Sequence, residues 1–253
     1  MNTASSIDCQ SFYLAKRDEL AEKGLVVLPS IYSKEIIQDI RSQIFDNLSL
    51  LRNTRATEPS LHLAGFHRYP EFENLHSLIS CNETVSDFLK FVLNGQSVRN
   101  IGITDITINR SQCWHKDLLR GPYASFLEPD VIWNPLGEVF RILMYLQDSS
   151  SLKFIPGSHL EPISLNSDDH AIPNDESKIT PVPVRAGDLV IMDVRTTHRG
   201  AEEKGFKPTN TDHSMLVATA LGADESVLSD QLEIGNSYRL RDWMKRNYYF
   251  HTS

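Results

Sequence analysis

Two histidines and one carboxylate are the residues of this chain whose types and spacing suit metal chemistry. His115 and Asp117 stand two apart in the run Cys-Trp-His-Lys-Asp at 113–117, which reads as a β-strand. Alternate residues of a strand share a face, so the imidazole and the carboxylate reach one point while Lys116 points away. His198 follows a second strand-like run, Asp-Leu-Val-Ile-Met-Asp-Val at 188–194. Two histidines and a carboxylate on one face of a metal, with the other positions open, are the ligand set of non-haem Fe(II) oxygenases. Zinc accepts the same donors, so the ligand types alone leave a zinc-dependent isomerase or hydrolase open.

The elements that must position these residues change character along the chain. Residues 7–23 read as a helix stopped by Gly24, residues 25–29 as a short strand closed by proline, and residues 35–51 as a second helix. Ser33 is a plausible N-cap for that second helix, and Ile36, Ile37, Ile40, Ile44 and Leu48 recur at helical spacing. Residues 52–74 hold Arg52, Arg55, His62, His67 and Arg68 without a clean period and read as a loop, solvated or facing substrate. A short helix over 85–92 follows. From residue 98 the period becomes two, which predicts one long strand leading to the His-x-Asp run. Further strands are expected at 140–146, 152–155, 189–194 and 215–221. Residues 118–137, 162–181 and 201–212 read as loops, the middle one as a possible lid, and residues 238–249 as a final helix.

Helices first and strands later, without βαβ alternation, predict an α+β protein with a mainly β core, an antiparallel sandwich or barrel carrying the site. No repeat, low-complexity tract or linker divides residues 1–253, so a single domain is expected. At 253 residues, 40% hydrophobic and 23% charged, the composition is that of an ordinary globular protein with a sizeable core. A net charge of −8 argues against a general nucleic-acid binder. Three cysteines, Cys9, Cys81 and Cys113, suggest neither a disulfide framework nor a thiolate metal site. No apolar run is long enough to span a membrane, and the first residues lack the features of a signal peptide, so a cytoplasmic protein is expected.

Several ordered motifs together resemble the phytanoyl-CoA dioxygenase family of Fe(II)/2-oxoglutarate oxygenases. They are Gly-Leu-Val-Val-Leu-Pro at 24–29 with Ser-Lys-Glu at 33–35, Trp-His-Lys-Asp at 114–117, and Tyr-Leu-Gln-Asp at 145–148. Leu-Lys-Phe-Ile-Pro-Gly-Ser-His at 152–159 and Ala-Gly-Asp-Leu-Val-Ile-Met-Asp at 186–193, running on to His198, complete the set. The resemblance implies a double-stranded β-helix (jelly roll, cupin-like) with flanking N-terminal helices. It implies Fe(II) bound by His115, Asp117 and His198, with 2-oxoglutarate and O2 as co-substrates. It implies oxidation of a C–H bond of a small molecule, with release of succinate and CO2. Relatives that halogenate carry a small residue in place of the carboxylate, so Asp117 favours hydroxylation or a related oxidation.

One part of the family pattern is missing. The family places an arginine at the start of its last core strand to pair with the far carboxylate of 2-oxoglutarate. This chain has Lys207, His213 and Ser214 in that region. Arg141, a lone charge in the apolar run 140–146, is the preferred substitute, because a buried charge needs a partner and a guanidinium fork suits a carboxylate. His213 is the second candidate. The missing arginine also keeps open a cupin-like binding protein that has lost turnover. Arg120 and Tyr123, in the loop after Asp117, are candidates for the substrate pocket. Arg195 is expected to meet a substrate anion or an acidic residue, or else to be an exposed surface charge. His159 reads as a structural turn residue, Trp114 as core packing, and Cys113 as a buried cysteine near the site.

Overall fold

The computed structural model describes residues 4–53, 60–110, 112–132, 137–161, 176–200 and 214–249. Helix α1 (Ala4–Lys23) leads into strand β1 (Leu25–Leu28) and helix α2 (Lys34–Asp46). Strands β2 (Arg52–Asn53) and β3 (Leu61–Ala64) follow, then helices α3 (Glu73–Ser80) and α4 (Glu83–Val92). Strands β4 (Val98–Asn100) and β5 (Asp105–Ile108) precede the short helix α5 (Pro129–Ile132). Next come β6 (Val139–Tyr145), β7 (Lys153–Phe154), β8 (Thr180–Pro181), β9 (Leu189–Asp193), β10 (His198–Arg199) and β11 (Met215–Ala223). Helix α6 (Val227–Met244) closes the described chain and runs into a π turn, Lys245–Tyr249. No helix among the described residues is long and apolar enough to cross a membrane.

Local chemistry accounts for the boundaries. Gly24 ends α1 with a left-handed φ of +82°, and its N–H donates to Leu20 O at 2.8 Å. A side chain at that position would strike His159 Nδ1 and Thr196 Oγ1, each 2.5 Å from the Cβ site. Ser33 Oγ accepts from Ile36 N at 3.4 Å, the expected N-cap, and Ile37, Ile40 and Ile44 form the buried side of α2. Asn82 caps α4 through Val85 N at 3.1 Å, and Ser226 caps α6 through Ser229 N at 3.2 Å.

The strands form two antiparallel sheets. The larger has the order β1-β9-β6-β11-β5-β3-β2, with β4 also pairing β11, and the smaller is β10-β7-β8. Strand β6 is buried along its whole length, and its alternation sorts the interior. Phe140, Ile142 and Met144 join the core under the helices, with Ile37, Ile44, Phe88 and Leu89. Leu143 and Tyr145 face the other way, into the layer with Leu152, Phe154, Val182 and Val184 of the smaller sheet. This is the double-stranded β-helix with N-terminal helices packed on its larger sheet. Arg141 shares the face of Leu143 and Tyr145, so the fold aims its guanidinium at the inter-sheet space.

Four expectations from the sequence need correction, and one helix was not expected at all. The long strand from residue 98 is two strands, broken where Gly102 turns left-handed at φ +74°. The run 113–117 joins no regular ladder; His115 makes an isolated antiparallel bridge with His198. The stretch 52–74 is not all loop, since β3 pairs β5 inside the larger sheet. Helix α3 had no expectation. The last helix begins at Val227 rather than 238, because Gly235 in its middle is a close-approach site and not a stop. A Cβ there would lie 2.1 Å from Leu119 Cδ1. Of the expected lid, 162–181, only residues 176–181 are among those described, and β8 there pairs β7. The loop 201–212 and His213 lie outside the described residues.

Candidate metal centre

The two histidines are brought together by backbone pairing. His115 N donates to His198 O at 2.8 Å, and His198 N donates to His115 O at 2.9 Å. Two residues on, Asp117 N donates to Val194 O at 2.8 Å, which anchors the carboxylate-bearing residue to the end of β9. The imidazole centroids lie 4.2 Å apart. His115 Nε2 is 3.4 Å from Asp117 Oδ1, and His198 Nε2 is 3.6 Å from Asp117 Oδ2.

Each imidazole is held by its other nitrogen. His115 Nδ1 donates to Cys113 O at 2.7 Å and His198 Nδ1 donates to Thr196 O at 2.9 Å. A carbonyl only accepts, so the Nδ1–H tautomer is selected and each Nε2 lone pair is left facing the carboxylate. Burial, helped by the neighbouring His115, lowers the His198 pKa to about 4, keeping the imidazole neutral. Burial alone would raise the Asp117 pKa, but the Arg141, His198 and His115 groups outweigh it and hold the carboxylate ionised. Two imidazoles and one carboxylate, with one donor atom each inside a 4.8 Å span, are a donor set that fits a divalent metal.

A second layer of charge runs behind the ligands. Arg141 Nε lies 3.3 Å from Asp117 Oδ2, Nη2 donates to Asp105 Oδ2 at 3.1 Å, and Nη1 donates to Ile103 O at 2.9 Å. Asp105 Oδ1 in turn meets His62 Nε2 at 2.8 Å. Burial opposes the charge on Asp105, but His62, Arg239 and Arg141 together hold its carboxyl well below the usual range. The chain His62–Asp105–Arg141–Asp117 thus ties β3, β5 and β6 to the ligand that bridges the two histidines. The guanidinium expected to wait for 2-oxoglutarate already donates to Asp105 and Ile103, while its Nε, 3.3 Å from Asp117, makes no hydrogen bond.

These groups line a cavity of about 560 Å³. Its walls come from β5, β6, β11, the segment after Asp117 and the inner face of α6. Arg120 and Tyr123 are on the wall as expected; Arg120 Nη2 donates to Lys116 O at 3.1 Å and the Tyr123 hydroxyl donates to Asp242 Oδ2 at 2.8 Å. Arg195 is not. Its guanidinium is buried against Asp193, with Nη2 2.6 Å from Oδ2, and Nη1 donates to Ile132 O at 3.2 Å. The acidic-residue alternative therefore describes Arg195, and the substrate-anion alternative does not. His159 Nε2 donates to Ala21 O at 3.1 Å, away from the cavity. Trp114 is buried under the Arg199 guanidinium, 5.1 Å from its ring centroid.

Sequence reasoning gave no specific role to Asp105, His62, Arg239 or Trp243, although it placed Asp105 in a stretch that could contact 2-oxoglutarate and His62 in one that could face substrate. Asp105 carried a usable signal: like Arg141, it is a lone charge in an apolar strand, so the two were candidates to pair. His62 and the α6 residues carried none, because their roles depend on strand β3 and on where α6 starts.

The profile of the phytanoyl-CoA dioxygenase (PhyH) family matches residues 20–208. No curated protein matches the sequence. Among solved structures, the fold is similar to the α-ketoglutarate-dependent carbocyclase SnoK of nogalamycin biosynthesis, with a TM-score of 0.63 at 20% identity over 83% of each chain. The α-ketoglutarate-dependent epimerase SnoN of the same biosynthesis gives 0.62 at 15% identity, covering 85% of this chain and 84% of its own. HygX from Streptomyces hygroscopicus, solved with nickel, 2-oxoglutarate and hygromycin B, gives 0.58 at 16% identity, covering 83% and 87%.

Proposed function

The chain belongs to the phytanoyl-CoA dioxygenase family, and we propose that it is an Fe(II)- and 2-oxoglutarate-dependent oxygenase that hydroxylates a C–H bond of a small molecule. The observation that carries this reading is the convergence of His115, Asp117 and His198 at the cavity wall, each imidazole presenting a bare Nε2. Zinc would fit the same atoms; family membership and the 2-oxoglutarate-binding relatives of the fold favour iron. When bound, the iron with 2-oxoglutarate and O2 supplies a two-electron oxidation of a C–H bond, giving succinate and CO2.

The chain's own residues supply geometry and charge. His115 and His198 hold the metal from one side with ring orientations fixed by Cys113 O and Thr196 O. Asp117 adds the anionic ligand, and Arg141 keeps it ionised and oriented while Asp105 fixes Arg141. Arg141 is therefore assigned to positioning; it would reach the co-substrate only by giving up these contacts. Thr107, Tyr145, Ser151 and Ser214, which carry hydroxyls, and Arg110 also line the cavity. Those groups, with His213 just ahead of β11, are assigned to the far carboxylate of 2-oxoglutarate. Arg120 and Tyr123 are assigned to the substrate side.

A second reading has a specific support. The similar folds include an epimerase and a carbocyclase, so the same oxidation is open to ending in an inverted centre or a new ring. One experiment tests both outcomes together. Purified protein given Fe(II), 2-oxoglutarate and air should release succinate, and His115→Ala should not. Product mass on an active substrate then separates gain of one oxygen from no gain. Succinate release that ignores Fe(II) or survives His115→Ala refutes the reading.

A further inference from the structure

The cavity wall carries charge that the proposed chemistry does not use. Five arginines line it, Arg110, Arg120, Arg141, Arg239 and Arg246, against two aspartates, Asp105 and Asp117. Among the described residues this is a formal excess of three positive charges, inside a protein whose net charge is −8. Of the three histidines of the wall, His115 and His198 are the metal donors, and burial lowers the pKa of His62. A divalent metal would add two charges and 2-oxoglutarate would remove two, so the excess persists with both bound.

Two of these arginines come from the last helical segment, Arg239 from α6 and Arg246 from the π turn that continues it. Asn236, Arg239 and Trp243 are spaced three and four residues apart, a single stripe of α6, and all three line the cavity with Arg246. The stripe is anchored at its start. Asn236 Nδ2 donates to Gly102 O at 2.8 Å, and Asn236 Oδ1 accepts from both Nε and Nη2 of Arg239, at 2.9 and 2.7 Å. Arg239 is thereby hydrogen-bonded to a neutral side chain, while the Asp105 carboxylate is near enough to feel its charge. Arg246 lies in the π turn, its Nε donating to Asp242 O at 3.3 Å. Trp243 stands between them, its ring edge-on to His62 with centroids 5.9 Å apart. A carboxylate or phosphate group is the chemistry that two guanidinium forks beside a flat aromatic wall recognise.

From this wall, and resting on the oxygenase reading of the centre, we infer that the substrate is an anion. Arg239 and Arg246 bind its carboxylate or phosphate group and hold its C–H bond over the metal side of the cavity. Arg120, an exposed residue of the same wall, adds a third positive group.

The test uses the full chain loaded with Ni(II), which is inert in turnover, and saturating 2-oxoglutarate, titrated at low ionic strength with acetate and with inorganic phosphate. Calorimetry should show saturable binding of at least one, and the two titrations separate a carboxylate from a phosphate preference. Arg239→Met and Arg246→Met should each weaken that binding at least about ten-fold, Arg239→Lys should restore part of it, and added salt should weaken it in the wild type. Binding of 2-oxoglutarate itself is titrated in parallel, with circular dichroism and thermal unfolding of each variant. The inference is overturned if the folded wild type takes up 2-oxoglutarate but neither anion. It is equally overturned if anion binding survives both methionine variants, or if these weaken 2-oxoglutarate to the same extent, which would assign the arginines to the co-substrate. Failure of the wild type to bind 2-oxoglutarate counts against the oxygenase reading instead; the anion titrations on the Ni(II) form still read the arginines.

Discussion

The Arg141 guanidinium lies 3.3 Å from Asp117, through Nε, and 3.1 Å from Asp105, through Nη2, so one buried cation serves two half-buried carboxylates. Only one of those carboxylates faces the metal position. The other, Asp105, exists to fix the cation, and His62 fixes Asp105 in turn. The centre is therefore a short relay of charges from the sheet to the ligand rather than three isolated donors.

Removing the cation from this relay leaves two carboxylates uncompensated. Arg141→Met should cost about 3–5 kcal/mol of folding stability, the cost of breaking a buried ion pair from one side. Denaturant unfolding of the metal-free protein measures it. Arg141→Lys keeps the charge but loses the fork, so it should fold while binding metal about ten-fold more weakly. A methionine variant as stable as the wild type would show that the relay carries no weight.

Asp105→Asn separates the second carboxylate from the first. It keeps the shape, leaves Arg141 with Asp117 alone, and removes the ionised partner of His62. Metal affinity should fall about ten-fold or more although Asp105 is not a ligand. Equal affinity in Asp105→Asn and wild type would confine its role to packing.

The buried imidazoles set the acid side of the stability curve. Burial, as the first cause, brings His198 and His67 from 6.5 to about 4. Between those values the unfolded chain binds protons that the folded chain refuses, so stability falls as pH drops through that window. The depressed carboxyls Asp105 and Asp117 act differently: their contribution is lost only as pH falls below the ordinary 3.8. Unfolding midpoints of metal-free protein should therefore decline from about pH 7 toward pH 4, and His198→Gln should flatten the slope. A flat profile over that range contradicts the assignment.

Gly24 gives a prediction about the scaffold. Its φ of +82° and the 2.5 Å approach of His159 and Thr196 leave no room for a Cβ. Its carbonyl also accepts from Asp193 N and Thr196 Oγ1, next to the turn that carries His198. Gly24→Ala should destabilise by about 1–3 kcal/mol or more and weaken metal binding by shifting that turn. Thermal unfolding with and without Ni(II) reads both effects.

How much of this was legible follows from how local each signal is. The His115–Asp117 pair lies within three residues, so strand alternation exposes it even though the run proved to be a single bridge. His198 needed the ordered motifs around it. Arg141 was legible as a lone charge in an apolar strand, but its partners lie 24 and 36 residues upstream, beyond any local pattern. Arg195 was ambiguous because its pairing with Asp193 is made by a tight turn, not by strand alternation. The pairing of Arg239 with Asn236 stayed hidden because the last helix was expected only from 238, whereas Gly235 lies inside it, packed on Leu119, and Asn236 bonds Gly102.

The central claim, that this centre holds iron for 2-oxoglutarate chemistry, is tested most directly by anaerobic calorimetry of 2-oxoglutarate binding. The wild type loaded with Fe(II) should bind it, the metal-free protein should bind it at least about a hundred-fold more weakly, and His198→Ala should behave as metal-free. Binding of equal strength with and without Fe(II), or none in either state, would contradict the account.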